Sequence, residues 1–141
     1  MLYDNLNMTG HLSITINDKL VQEVPNLVVS DGKEYVASRM KDTAKAAMSH
    51  MAIGTVSTAA AASDSALGGQ SSREVLTSTT VSGTTITYIA TFGAGIGTGA
   101  ITEAGLFNAS TAGDMLCRTV FAVINKGSND AMTISWNVQV S

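Results

Sequence analysis

Ala131–Val140, AMTISWNVQV, is the stretch on which the fold turns. Met132, Ile134, Trp136, Val138 and Val140 alternate without a break against Thr133, Ser135, Asn137 and Gln139. A period of two places the first set on one face of a β-strand and the second on the other. A slip of one residue would carry Trp136 from core to solvent, so the strand is strongly specified. Upstream of it, Thr84–Phe92, Ile101–Phe107 and Met115–Ile124 read as three more strands with almost no charge. The last two and Ala131–Val140 are expected to form a meander, with turns at Asn108–Asp114 and Asn125–Asp130, both rich in turn residues. In Thr84–Phe92 the residues Ile86, Tyr88, Ala90 and Phe92 share a face, and Glu74–Val81 precedes it as a hairpin partner about Ser82-Gly83.

Nearer the N-terminus, His11–Asn17 alternates Leu12, Ile14 and Ile16 against Ser13 and Thr15. Asn17-Asp18 is a turn signal, and Leu20–Val29 returns as the second strand of a hairpin. Pro25, the only proline, has no N–H for a ladder and marks an edge position or a bulge. From Asp31 to about Met48 the spacing predicts a helix. Asp31 and Glu34 stand at capping-box distance, and Tyr35 or Val36, Met40, Ala44 and Ala47 or Met48 make one apolar stripe. Four of the eight basic residues lie between Lys33 and Lys45, on a solvated helix face or, secondarily, a docking patch for an acidic partner. Met51–Thr55 is a short strand, and Val56–Gly69 is a loop of small residues punctuated by Ser63-Asp64 and Gly68-Gly69. The fold class expected is mainly β: an antiparallel β-sandwich, Ig-like or jelly-roll in style, with one packed α-helix at about 31–48. The sandwich domain runs over 10–141 behind an N-terminal arm, 1–9. Its structural core is expected to include Tyr88, Phe92, Glu103, Phe107, Phe121 and Trp136.

At 141 residues the chain is one domain, large enough to bury a real core. Its net charge of −3, from 8 basic and 11 acidic residues, leaves no electrostatic footprint for nucleic acid or an anionic membrane. Only 13% of residues are charged, against about 25% in ordinary globular domains, and from Val75 to Ile101 there is none. Either neighbouring subunits cover part of the surface, or a sandwich exposes a threonine-rich face. Cys117 is the only cysteine, which excludes an intrachain disulfide and a zinc site built on paired cysteines. In alternation it falls beside Met115, Thr119, Phe121 and Val123 and reads as an inert buried thiol. No apolar run reaches the roughly 18 residues of a membrane span, and Met1–Asn7 lacks the basic and apolar regions of a signal peptide. The chain is therefore expected to work without crossing a membrane.

The candidate chemical motifs do not hold together. Gly95–Ala100, GIGTGA, matches a dinucleotide fingerprint, but that motif needs a helix next and ITEAGLF reads as a strand. Lys126-Gly127-Ser128 has no upstream glycine frame for a phosphate loop. His11 and His50 lie on separate strands and lack any pairing pattern with Asp or Glu. Glu103 stands in an otherwise apolar strand, on the face of Ile101, Gly105 and Phe107, and is expected to pair with Arg118 or Arg73 in or near the core. A catalytic carboxylate would want a second acid or a nucleophile beside it, and none stands out. No catalytic residue, cofactor-binding residue or metal ligand is assigned, and an enzyme is not expected.

Met51–Arg73, MAIGTVSTAAAASDSALGGQSSR, followed by Ile101–Phe107, ITEAGLF, resembles small structural proteins of tailed bacteriophages. In these a run M-x-x-G-T-G, small residues, S-D-x-A-L and an acid or Arg is followed by I-x-E-A-G-L-F-N, an R-x-x-F and a closing alternating strand. Arg118–Phe121, RTVF, and Met132–Val140 occupy the last two places. The likeness covers roughly Asn26 to the C-terminus. Val56 stands where the pattern usually has glycine, and Gln70 where an acid is common, which bears on loop geometry more than on fold. The resemblance implies a virion protein, assembled in a host cytoplasm, with the phage major capsid protein or other virion proteins as partners. Capsid decoration (cement) protein is the leading expectation, because the chain is little more than the shared domain. A tail, baseplate or fibre-attachment component is the alternative, and a host-surface glycan-binding module is the reading from another class. Low charge and a face of Thr77, Thr79, Thr85, Thr87 and Thr91 further suggest a homo-oligomer, with Leu2, Tyr3 and Leu6 of the arm as interface residues on an adjacent chain.

Overall fold

A computed structural model of the chain describes residues 6–41 and 45–141. In order the elements are β1 (Met8–Ile16), β2 (Lys19–Pro25), β3 (Leu27–Val28), α1 (Ser30–Lys41), β4 (His50–Gly54) and β5 (Gln70–Val75). There follow β6 (Ser78–Ser82), β7 (Thr85–Phe92), β8 (Gly99–Phe107), β9 (Met115–Lys126) and β10 (Met132–Val140). They build two five-stranded antiparallel sheets, β2-β1-β10-β7-β6 and β3-β9-β8-β4-β5. One shared core of side chains from both sheets fills the space between them, so the fold is the expected β-sandwich with one helix.

β10 lies at the centre of the first sheet, between β1 and β7. Trp136 stands opposite Leu12 on one side and Tyr88 on the other. Met132, Ile134 and Trp136 are sealed from solvent, as the alternation requires, while Thr133, Ser135 and Asn137 turn to the outer face. The Trp136 indole N–H donates to Asn26 Oδ1 at 2.9 Å, which meets the polar need of an otherwise apolar site. Tyr88, Phe92 and Phe121 are buried in the same core. The β1–β2 hairpin closes on Asn17 and Asp18 with φ of 49° and 68°, the two positive values that a type I′ turn needs. Pro25 ends the edge strand β2, where a missing N–H is tolerated.

The strands pair differently from a simple succession of hairpins, because the chain repeatedly changes sheet. Leu20–Val29 is not one strand: it breaks at Asn26, with β2 in the first sheet and β3 in the second. Glu74–Val81 also divides, Glu74 and Val75 ending β5 in the second sheet and β6 beginning at Ser78 in the first. β8 and β9 form the expected hairpin, but β10 leaves them for the other sheet, so the three do not make a meander. Periodicity assigns faces and says nothing about neighbours.

The middle of the second sheet, β4, β8 and most of β9, is buried on both sides, which is why these strands read as largely apolar runs. Ile101, Ala104 and Leu106 face the shared core, whereas Phe107, Ala52 and Met115 pack on the opposite side with Val29 and Leu67. A register shift between Ile101 and Glu103 inserts a bulge at this point. It turns Glu103 to the outer side while Ile101 stays in the core, so the two do not share a face. The same irregularity leaves Val123 54% exposed instead of beside the buried Cys117.

The helix is shorter than its apolar spacing suggests. Its described span is Ser30–Lys41, and residues 45–49 run without helical structure. Met40, placed by periodicity on the buried stripe, is 83% exposed, while Tyr35 carries the contact with the core. Ala44 lies outside the described residues. Asp31 does not act in a capping box: its Oδ2 accepts from the Met115 N–H at 2.7 Å and pins the helix start to β9. Gly32 then packs against the Leu116 carbonyl, where any side chain would collide with the strand backbone.

Candidate functional site

The residues that drew attention in the sequence meet at the loop 55–69, which lies on the outer side of the second sheet. β8 brings Glu103 beneath the loop, and β9 brings Arg118 beside it. Glu103 is fully buried and accepts from five donors. Its Oε2 takes the Val56 N–H at 3.1 Å and the Gly69 N–H at 2.8 Å. Its Oε1 takes the Gly68 N–H at 2.8 Å and Arg118 Nε and Nη2 at 3.2 and 3.0 Å. Arg118 reaches on with Nη1 to Asp64 Oδ2 at 2.9 Å and with Nη2 to the Thr58 carbonyl at 3.0 Å. Asp64 in turn accepts from the Ala61 N–H at 2.8 Å. A buried carboxylate is costly alone, and this one is matched by a guanidinium and three backbone donors.

The loop is held along its length. The Thr55 N–H donates to the Gly69 carbonyl at 3.0 Å, and the Ser30 N–H at the helix start donates to the Ala62 carbonyl at 2.8 Å. Leu67 plugs the outer apolar cluster. Gly54 allows the closest approach: a Cβ there would lie 2.5 Å from both Glu103 Oε2 and the Gly69 carbonyl oxygen. Ser57, Thr58, Ala59, Ala61, Ala62 and Ser63 are left facing solvent, without a charge among them. Between this ridge and the Pro25–Leu27 switch lies a shallow depression of about 340 Å³, floored by Arg118 and Thr119.

Of the two partners expected for Glu103, Arg118 is the one in place. Arg73 takes another role: it lies over the Phe107 ring at 3.7 Å and donates from Nη1 to the Ala109 and Ala112 carbonyls at 3.0 and 2.9 Å. Gln70 Oε1 accepts from Arg73 Nε and Nη2 at 3.1 and 2.9 Å. Burial alone lowers the Arg73 pKa. Phe107 is buried, on the outer cluster and not in the inter-sheet core.

Of the three arm residues expected at an interface, Leu6 alone is among the described residues. Leu6 is 76% exposed, and Leu2 and Tyr3 lie outside the described residues. The threonine face is only partly formed. Thr85, Thr87 and Thr91 belong to the outer face of the first sheet, where Thr87 Oγ1 donates to Asn137 Oδ1 at 2.7 Å and Thr91 meets Thr133 at 3.0 Å. Thr79 pairs with buried Tyr88 and so points to the opposite face, and Thr77 sits in the crossover between β5 and β6. His11 is exposed on β1, and His50 Nδ1 lies 2.8 Å from Ser49 Oγ.

Two features escaped the sequence reading. Lys126, dismissed with the phosphate-loop motif, is fully buried, and its Nζ donates to the Gly93 and Asp130 carbonyls at 2.8 and 2.7 Å, tying two loops at one end of the sandwich. Desolvation lowers its pKa. Asp31 lies beside Asp114, which bonds Lys45 at 3.3 Å, and burial followed by that neighbouring charge raises the Asp31 pKa, against the Met115 hydrogen bond. Carbonyl and N–H partners leave no mark in a sequence, which is why neither was legible. Among the described residues no group of three or more His, Cys, Asp or Glu side chains converges as a metal site requires, and no helix is long and apolar enough to cross a membrane. No family model matches the chain, and neither the curated proteins nor the solved structures yield a match.

Proposed function

We propose that this chain is a structural protein of tailed-phage particles, a decoration protein that docks on the outside of the assembled capsid shell and strengthens it. One observation carries the reading. Gly54, Asp64, Gly68, Glu103 and Arg118, scattered through the phage-like pattern, close into a single buried clamp whose product is a rigid, uncharged ridge of small side chains. Docking onto a protein lattice favours a surface ordered before contact, since the ordering cost is met in folding instead of binding. Alanine and serine lose little rotamer freedom and let two backbones approach closely. Glu103 has no free lone-pair direction toward solvent and serves as an anchor, not a general base.

The test uses capsids stripped of the protein. Purified wild-type chain is added back, and binding and heat resistance of the shells are measured beside the variants Ala59→Arg and Ala61→Arg, whose side chains project from the ridge. Restored resistance with wild type, and loss of binding with either variant, is the expected result. Shells whose heat resistance is unaltered by bound protein, or full binding by both variants, would overturn the reading.

A further inference from the structure

The two sheets present four edges among the described residues, and three carry recognisable protection against pairing with another chain. β2 has Lys19, Glu23 and Pro25 and a register shift against β1. β3 is only two residues long. β5 has Arg73 and Glu74 and a register shift against β4. β6, Ser78–Ser82, has none of these: no charge, no proline and a regular register along β7. All of its side chains are exposed, and Val81 is 67% exposed. The strand lies in the uncharged run from Val75 to Thr102.

We propose that two copies of this chain pair antiparallel through β6, joining their first sheets into one continuous sheet across a two-fold axis at Thr80. Ser82 and Thr85 close the two-residue turn, so Ser78, Thr80 and Ser82 bond to β7 while Thr79 and Val81 aim their N–H and C=O groups at the open edge. Around the axis Thr79 of one copy meets Val81 of the other, twice, and the four free backbone groups on each strand are satisfied. Self-pairing sets each residue near its own counterpart, so a charged edge would repel itself, and β6 has none to do so. Thr79 and Val81 also line an apolar cleft of about 400 Å³ between β6 and α1, with Tyr35, Val36, Met48 and Tyr88 along it. Val81 of the second copy comes to rest at its mouth and loses its exposure there. This pairing stands independently of any place on a virion.

Thr80→Cys makes the test. Across the axis the two Thr80 residues form a non-hydrogen-bonded pair, about 4.5 Å between Cα atoms, inside the range of about 4.4–6.8 Å that a disulfide spans. Cys117 is buried and does not compete. Mild oxidation is expected to give a covalent dimer with Thr80→Cys and none with Ser135→Cys, in mid-sheet on the same outer face. Sedimentation of the wild type should show a concentration-dependent dimer, weakened about fivefold or more by Thr80→Lys, with Trp136 emission unchanged as proof of folding. Equal cross-linking of both cysteine variants, or a wild type that stays monomeric at high concentration, overturns the pairing. A Thr80→Cys thiol that couples in particles to a different protein, and never to itself, also overturns it, and gives the edge to that partner.

Discussion

Glu103→Gln preserves shape at the centre of the clamp and removes its charge. The carboxylate serves Val56 and Gly69 N–H groups on one oxygen and Gly68 N–H with Arg118 on the other. An amide has one acceptor oxygen. If that oxygen faces Arg118, the NH2 points at the Val56 and Gly69 donors; if it is flipped, the NH2 points at Gly68 and the guanidinium. At least two buried donors are orphaned either way, at about 1–3 kcal/mol each. Arg118, 3% exposed, also loses its buried counter-ion and keeps only Asp64, whose side chain is 26% exposed. Breaking a buried pair typically costs about 3–5 kcal/mol, and because the two descriptions overlap we expect about 3–5 kcal/mol in total. That is a large share of the about 5–15 kcal/mol that holds a domain. In urea, with a slope of roughly 2 kcal/mol per molar, the midpoint should fall by roughly 2 M without a change in slope. Hydrogen exchange should quicken at Val56, Gly68 and Gly69. Asp64→Asn, at the half-exposed end of the network, should cost only about 1 kcal/mol. A Glu103→Gln midpoint within experimental scatter of wild type, or equal losses in both variants, would refute the assignment of Glu103 as the anchor.

Further outcomes follow from other sites. Trp136→Phe removes the donor to Asn26 Oδ1, and Asn26 Nδ2 is already buried without a partner, so the amide is left with nothing; a loss of about 1–3 kcal/mol by denaturant titration is expected. Burial raises the Cys117 thiol pKa well above its usual value, so a thiol-reactive disulfide reagent should be inert toward native protein and react once per chain in denaturant. Fast native labelling would contradict its burial. Asp130 is held below its usual 3.8, first by the Asn17 side-chain amide and then by the Gly127 N–H. The folded state therefore binds its proton less readily than the unfolded chain, and the contribution is in place above 3.8 and lost as pH falls through the lowered value. The stability gap between wild type and Asp130→Asn should be flat near neutrality and close in strong acid; a gap that widens with acid reverses the sign.

The strand β10 was legible because one face of a sheet is buried and the other is wet, which forces strict alternation from Met132 to Val138. The Asn17-Asp18 turn was legible because few residues tolerate two positive φ values in succession. The helix was overextended because Ala47 and Met48 keep helical spacing while lying in irregular chain ahead of β4, and apolar spacing over two positions does not separate the cases. The parity of β8 was misread at Ile101 and Glu103 because a bulge leaves no compositional trace. Glu103 was recognisable as a buried acid and Arg118 as one of two partners, since a charge in an apolar strand demands an opposite charge. The loop that closes on them was not recognisable, because Glu103 grips it through Val56, Gly68 and Gly69 backbone N–H groups that every sequence possesses. Sheet membership was lost at Asn26 and between Val75 and Ser78, where an extended chain bends from one sheet to the other without a glycine to announce it.

The most direct measurement of the proposed role is the position and number of copies in purified particles of the phage type the proposal names, from a reconstruction paired with quantitative mass spectrometry. Decoration of the shell predicts copies by the hundred, spread over the capsid surface, with the 55–69 ridge against the capsid protein. About a dozen copies confined to the tail would contradict decoration and favour a fibre-attachment role, and no copies at all would contradict a virion protein of any kind.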